Sequence, residues 1–172
     1  MTVLEIRKYG DPILRERART VTVFDEKLAR LAADMMATME AANGVGLAGN
    51  QVGVLERVFV ADMAGFELSG KKIAVVNPEI VFRSPEESVE EEGCLSIPGV
   101  YAEVRRPKKI RLAGQNLKGE KMELEAEDMA ARVFCHETDH LNGVLFIDHL
   151  TALERDLLKG KLAEMRRKAA AL

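Results

Sequence analysis

Residues 133–143 read VFCHETDHLNG and hold two of the chain's three histidines and one of its two cysteines. The stretch predicts a helix from about Asp128 to Asn142. Met129, Val133, His136 and His140 recur at spacings of three and four, with Asp128 as N-cap and Gly143 at the stop. That spacing turns one face, and both imidazoles with it, towards the interior. Residues four apart on a helix stand roughly 40° apart around its axis, so His136 and His140 point the same way and can share one ion. A buried pair without metal would need a hydrogen-bond partner at every ring nitrogen. His136 to His140 spells H-E-x-x-H. Glu137, turned by roughly 100° from His136, stands beside such an ion, where a general base for water belongs.

Two histidines leave the coordination incomplete, because a catalytic site takes three protein ligands and keeps one position open. The candidates for the third are Cys94, Cys135, His149, Glu154 and Glu164. Cys135 adjoins His136, but neighbouring helical residues diverge by roughly 100°, so it reads as a small core residue. His149 follows GVLFID, an apolar run that reads as a strand carrying the imidazole away, and is taken as structural. Glu154 and Glu164 lie in LERDLLKGKLAEMRRK, an amphipathic helix whose solvated face accounts for glutamates in any case. Cys94, in EEGCLSIPGV, sits in loop or strand-end chemistry able to bring a thiolate up from elsewhere in the fold.

Outward from these residues, 172 residues make one domain with a sizeable core, without internal repeat or linker. A net charge of −3 argues against general nucleic-acid binding, DNA included. No apolar run reaches membrane-span length, and MTVLEIRKYGDP lacks a charged-then-apolar leader, so the expectation is a cytoplasmic chain with reduced thiols. FDEKLARLAADMMATMEAANG predicts a helix from about Asp25 to Ala42. Residues 3 to 8 read as a short strand or turn. ERVFVADM and KKIAVVNPEIVF read as strands, the second confined by Pro78 to a sheet edge or to its own end. GVYAEVRRPKKIRLAGQN and GEKMELEAE read as further strands, with NLKG as a hairpin turn, and a last helix covers about Ala152 to Ala170. The order helix, strands, helix, terminal helix predicts an α+β fold: small antiparallel sheets packed around the H-E-x-x-H helix, with an N-terminal and a C-terminal helix. Two charge runs stand out. PEESVEEEG packs five glutamates into residues 86–92, and the last 22 residues carry six Lys/Arg against three Asp/Glu. Both read first as solvated faces.

Three segments together resemble the peptide deformylase family. GVGLAGNQ at 44–51, EGCLS at 92–96 and CHETDHL at 135–141 follow that family's glycine-rich, E-G-C-[aliphatic]-S and H-E-x-x-D-H motifs in order and spacing. YGDPILRERA and NGVLFIDHL extend the likeness over nearly the whole chain. The resemblance implies Cys94, His136 and His140 as metal ligands and Glu137 as base and acid. It implies Gln51 and the Leu95 N–H as donors to the reacting carbonyl. Gly46 would pair with an extended peptide, and Val45, Met129 and Val133 would border the methionine pocket. The implied reaction releases formate from N-formylmethionyl nascent peptides. The implied ion is Fe(II), while a site with one thiolate also suits Zn(II) or Ni(II). The family's role further suggests that the basic C-terminal helix docks on the ribosome. Gly49, Cys135 and Thr138 depart from the usual residues, at positions that neither ligate nor donate. Two other readings remain: a zincin-type peptidase with a glutamate as third ligand, and a closed structural zinc site made by both cysteines and both helix histidines.

Overall fold

A computed structural model describes residues 1–66 and 71–171. The fold is α+β, as expected. A five-stranded antiparallel sheet runs in the order β1 (Gly46–Ala48), β2 (Val58–Asp62), β3 (Lys72–Arg83), β6 (Lys109–Gln115), β7 (Lys121–Glu127). A separate two-stranded sheet pairs β4 (Glu87–Cys94) with β5 (Ile97–Pro107). Three helices complete the chain: α1 (Glu26–Ala41), α2 (Asp128–Leu141) and α3 (Ala152–Ala170).

Alternation along β2 explains the layering. Val58 and Val60 pack with Leu28, Ala32, Met35 and Met39 of α1, while Phe59 and Ala61 pack with Ala131 and Phe134 of α2. Successive side chains point to opposite faces, so a strand covered on both sides must be apolar throughout. The Asp25 carboxylate caps α1 by accepting the Leu28 N–H. A third cluster joins Leu145, Phe146 and Ile147 to Ile97, Val104 and Leu162. It fastens the two-stranded sheet and α3 to the body of the domain. Among the described residues no helix is long and apolar enough to cross a membrane.

Several expectations fail for local physical reasons. Pro78 lies mid-strand in β3, at the centre of the larger sheet rather than at an edge. The β3–β6 register shifts between Val76 and Glu79, so the missing proline N–H falls at a bulge. Asn77 takes φ 51° there, and its side chain bonds the Val21 backbone and Gln115. GVLFID is no strand: Phe146–His149 is a 3-10 turn, capped by Asp148 accepting the Leu145 N–H. Residues 3–8 form no regular element and are tethered instead by the Arg7 N–H on Gln51 O and the Leu4 N–H on the Thr38 hydroxyl. Asp128 is the first residue of α2, at φ 51°, and Glu127 holds the cap position. PEESVEEEG forms most of β4.

Candidate metal centre and its cavity

The three candidate ligands come from two elements. Cys94 ends β4, where a register shift after Gly93 swings the strand out of its ladder. His136 and His140 lie one turn apart on α2. Cys94 Sγ stands 3.3 Å from His140 Nε2, which is 3.1 Å from His136 Nε2. All three donor atoms fall within 4.8 Å of one another, the one such group among the described residues. A tetrahedral ion with metal–nitrogen bonds near 2.1 Å and metal–sulfur bonds near 2.3 Å would space its donors about 3.4–3.6 Å apart. The donor set therefore fits one soft-to-borderline divalent cation.

The electrostatics point the same way. Two imidazole nitrogens and a sulfur face one another in a largely buried site, and they need a positive centre between them. Burial works against charge on His136, but its bonds to Cys94 and Glu92 prevail and raise its pKa well above the usual value. Burial, then the charge on His136, holds His140 well below it. The two rings are therefore not both cationic at once. His136 Nδ1 donates to Glu92 Oε1 at 2.9 Å, which fixes the tautomer and leaves Nε2 free to ligate.

Glu92 itself breaks the expectation of a solvated acidic face. It is buried on β4, accepting from Arg106 at 2.9 and 3.0 Å and from Arg132 at 2.8 Å. Burial would raise its pKa, but Arg106 and His136 hold the carboxyl well below the usual range. Arg106 reaches on to Asp139, 2.6 Å away, which also bonds His149. Strand phase does not single out Glu92: Glu90 has the same phase and stays exposed, and a register shift separates Glu92 from Cys94.

Glu137 lies against Gly46, where a Cβ would overlap its carboxylate, so a larger residue at that position of β1 would push the carboxylate aside. Its Oε2 is buried without a hydrogen-bond partner, and burial, partly offset by His136, pushes its pKa up to about 7. Gln51, in the 3-10 turn Gly49–Val52, is held at both ends of its amide. Oε1 accepts the Ala48 N–H at 3.0 Å, while Nε2 donates to Ser96 Oγ at 3.1 Å and lies 3.5 Å from Cys94 Sγ. Ser96 was not foreseen in this role.

These groups open on a cavity of about 510 Å³. Cys94, Gln51, Leu95, Gly46, His136 and Glu137 line it, and Val45, Met129 and Val133 border it. His140, at 1% exposure, lies behind the wall. Val133 is buried, but Val45 and Met129 are 52% and 41% exposed, so the apolar face of α2 does not turn wholly inward at its first turn. The Lys8 ammonium, on Leu95 O at 3.1 Å, and Tyr101 complete the rim and were not expected there.

The other candidate ligands are engaged elsewhere. Cys135 is buried between α2 and the sheet, and burial pushes its thiol up to about 11. His149 stays with Asp139 and Arg106. Glu154 forms a capping box with Thr151 at the start of α3, and Glu164 pairs with Lys168. Among the described residues neither a glutamate-ligated site nor a closed two-cysteine site is formed.

Comparison with known proteins gives a consistent result. The sequence model of a family described as polypeptide deformylase matches residues 3–156. A peptide deformylase of Thermotoga maritima is 49% identical over 162 residues, covering 94% of this chain and 96% of the relative. One from Acidobacterium capsulatum is 43% identical over 167 residues, with 97% and 98% coverage. The crystal structure of peptide deformylase from Thermus thermophilus superposes with a TM-score of 0.89 at 41% identity, covering 97% of this chain and 99% of that one.

Proposed function

The chain belongs to the polypeptide deformylase family, and on that premise we propose which residues carry the reaction. The activity is the family's: a metal-dependent hydrolase that removes the N-formyl group from nascent peptides. We assign Cys94, His136 and His140 as ligands of one divalent ion, within a single catalytic domain spanning residues 1–172. The observation that carries this reading is the convergence of one thiolate and two imidazoles, with no further protein donor closing the set among the described residues. An ion bound there supplies Lewis-acid charge and makes water a nucleophile near neutral pH.

The chain's own groups do the rest. Glu137 accepts a proton from the attacking water and returns it to the departing amine, a role supported by its Oε2 having no protein partner. Gln51 Nε2 and the Leu95 N–H donate to the formyl oxygen as charge develops on it. Gln51 meets this task preorganised, because Ala48 fixes its orientation before substrate arrives. Gly46 lies on the open edge of β1, where an extended peptide can add as a strand. Val45, Met129 and Val133 receive the methionine side chain. The buried Glu92 and its two arginines keep His136 from turning away.

Fe(II) is the cation we propose for cells, with Zn(II) and Ni(II) as substitutes, and the cytoplasm is the proposed compartment. For α3 we propose contact with the ribosome. Leu153 and Leu157 are 71% and 79% exposed beside Arg155, Lys159 and Lys161. Charge reversal at Lys159 and Lys161 should weaken ribosome binding and leave peptide turnover unchanged; equal binding would remove the idea.

The decisive test is formate release from formyl-Met-Ala, assayed anaerobically with metal quantified in the same sample. Glu137→Ala should retain metal and lose about 10²–10⁴ in turnover. Full turnover in that variant would overturn the assignment of the base.

A further inference from the structure

On the opposite side of α2 from the catalytic cavity lies a polar depression of about 430 Å³. Arg17, Arg57 and Arg83 line it, together with Glu79, Thr138 and Asn142. Three guanidiniums against one carboxylate leave two positive charges. None of the three arginines forms an ion pair among the described residues, although Arg106 and Arg132, which are buried like Arg57, are both paired.

Arg57 is the anchor. It is 9% exposed, and its guanidinium donates only to neutral oxygens: Leu141 O at 3.1 Å, Asn142 Oδ1 at 2.9 Å and Pro78 O at 3.2 Å. Burial, then the charge of Arg17, lowers its pKa, with Glu79 a lesser opposing influence. A buried cation without a counter-charge is costly, and a second arginine beside it adds to the cost. An anion seated between them would offset that cost. Thr138, also lining the depression, has a buried hydroxyl with no hydrogen-bond partner.

We propose that this depression binds a phosphoryl dianion, either inorganic phosphate or the phosphate of a small monoester. A phosphate group carries about −1.5 to −2 at neutral pH, which matches the two uncompensated charges. Its tetrahedral oxygens suit several guanidinium forks at once. The bound anion would clamp the β3 bulge at Pro78 to the C-terminal end of α2, since Arg57 already touches both.

The test is titration calorimetry on the metal-loaded full chain, with the catalytic cavity saturated by a peptide hydroxamate so that anions cannot report from the metal. Inorganic phosphate and glycerol phosphate are titrated separately at matched ionic strength in chloride. At least one should bind saturably, and Arg17→Ala/Arg83→Ala should weaken it by about tenfold or more. Both side chains are exposed, so the double variant should keep its melting temperature and turnover without phosphate. Tighter binding of the monoester identifies that source; equal or weaker binding identifies free phosphate. Absence of saturable binding, or unchanged affinity in the double variant, overturns the proposal. Tighter binding of an internal phosphodiester than of either phosphate ligand also overturns it, since a phosphodiester is no dianion.

Discussion

Two charge runs invite the same reading in the sequence, and the structure treats them oppositely. The basic run of α3 is largely solvated: across nineteen residues it buries only Leu162, and its charges mostly face water, with Arg166 turned to the domain, onto Tyr9. The acidic run of β4 keeps Glu87, Glu90 and Glu91 in solvent, yet sends Glu92 inside to meet two arginines and a candidate ligand. A helix can keep a charged majority outside by leaving one narrow stripe for the core. A strand alternates its faces, yet Glu90 shares the face of Glu92 and stays in solvent, so burial here is set by which elements cover the strand at that point. One position in an acidic strand is therefore conscripted, and its partners must come from other elements.

That contrast can be pressed hardest at Glu92. Glu92→Ala strands the buried Arg132 and leaves the buried Arg106 with Asp139 alone, and should cost about 3–5 kcal/mol in denaturant unfolding. Metal affinity in the folded fraction should fall about 10–100-fold by competition with a chelator. A loss no larger than that of an exposed glutamate would erase the distinction between the runs. Gln51→Ala comes next, with turnover down about 10²–10³ and metal content unchanged. Gly46→Ala should also depress turnover sharply, since its methyl group and the Glu137 carboxylate compete for one volume. Cys135→Ser should keep the metal while lowering the melting temperature, because a buried hydroxyl replaces an apolar thiol. Smallest of all, Glu164→Ala on α3 should leave the melting temperature unchanged, its pair with Lys168 being exposed.

The parts of the molecule that were legible are those governed by short-range periodicity. The three helices fall within about a residue of their expected bounds, and the NLKG turn joins β6 to β7 as read. His136, Glu137 and His140 are fixed by helix spacing alone. Cys94 needed the likeness of its neighbours to a known motif, since nothing local distinguishes a ligating thiol from a packed one. What escaped were features set by distant contacts. Pro78 sits mid-sheet because a bulge and Asn77 absorb it, and Phe146 to His149 turn because Asp148 caps them. Glu92 was hidden by composition: five glutamates in a row of seven suggest water, and nothing local separates Glu92 from its neighbours.

The larger sheet has two edges of very different character. β7 at one margin shows Lys121, Glu123, Glu125 and Glu127 to solvent, charges that discourage a neighbouring chain from adding. β1 at the other margin has no charged residue and is three residues long. A guest strand held there, as proposed for the substrate, would be gripped through its peptide groups, which are the same in every sequence. Such a grip is indifferent to the side chains beyond the first, and that indifference is what a processing step common to all newly made chains requires. The brevity of β1 sets the counterweight: a margin this short can hold a passing peptide but offers little template for lasting aggregation.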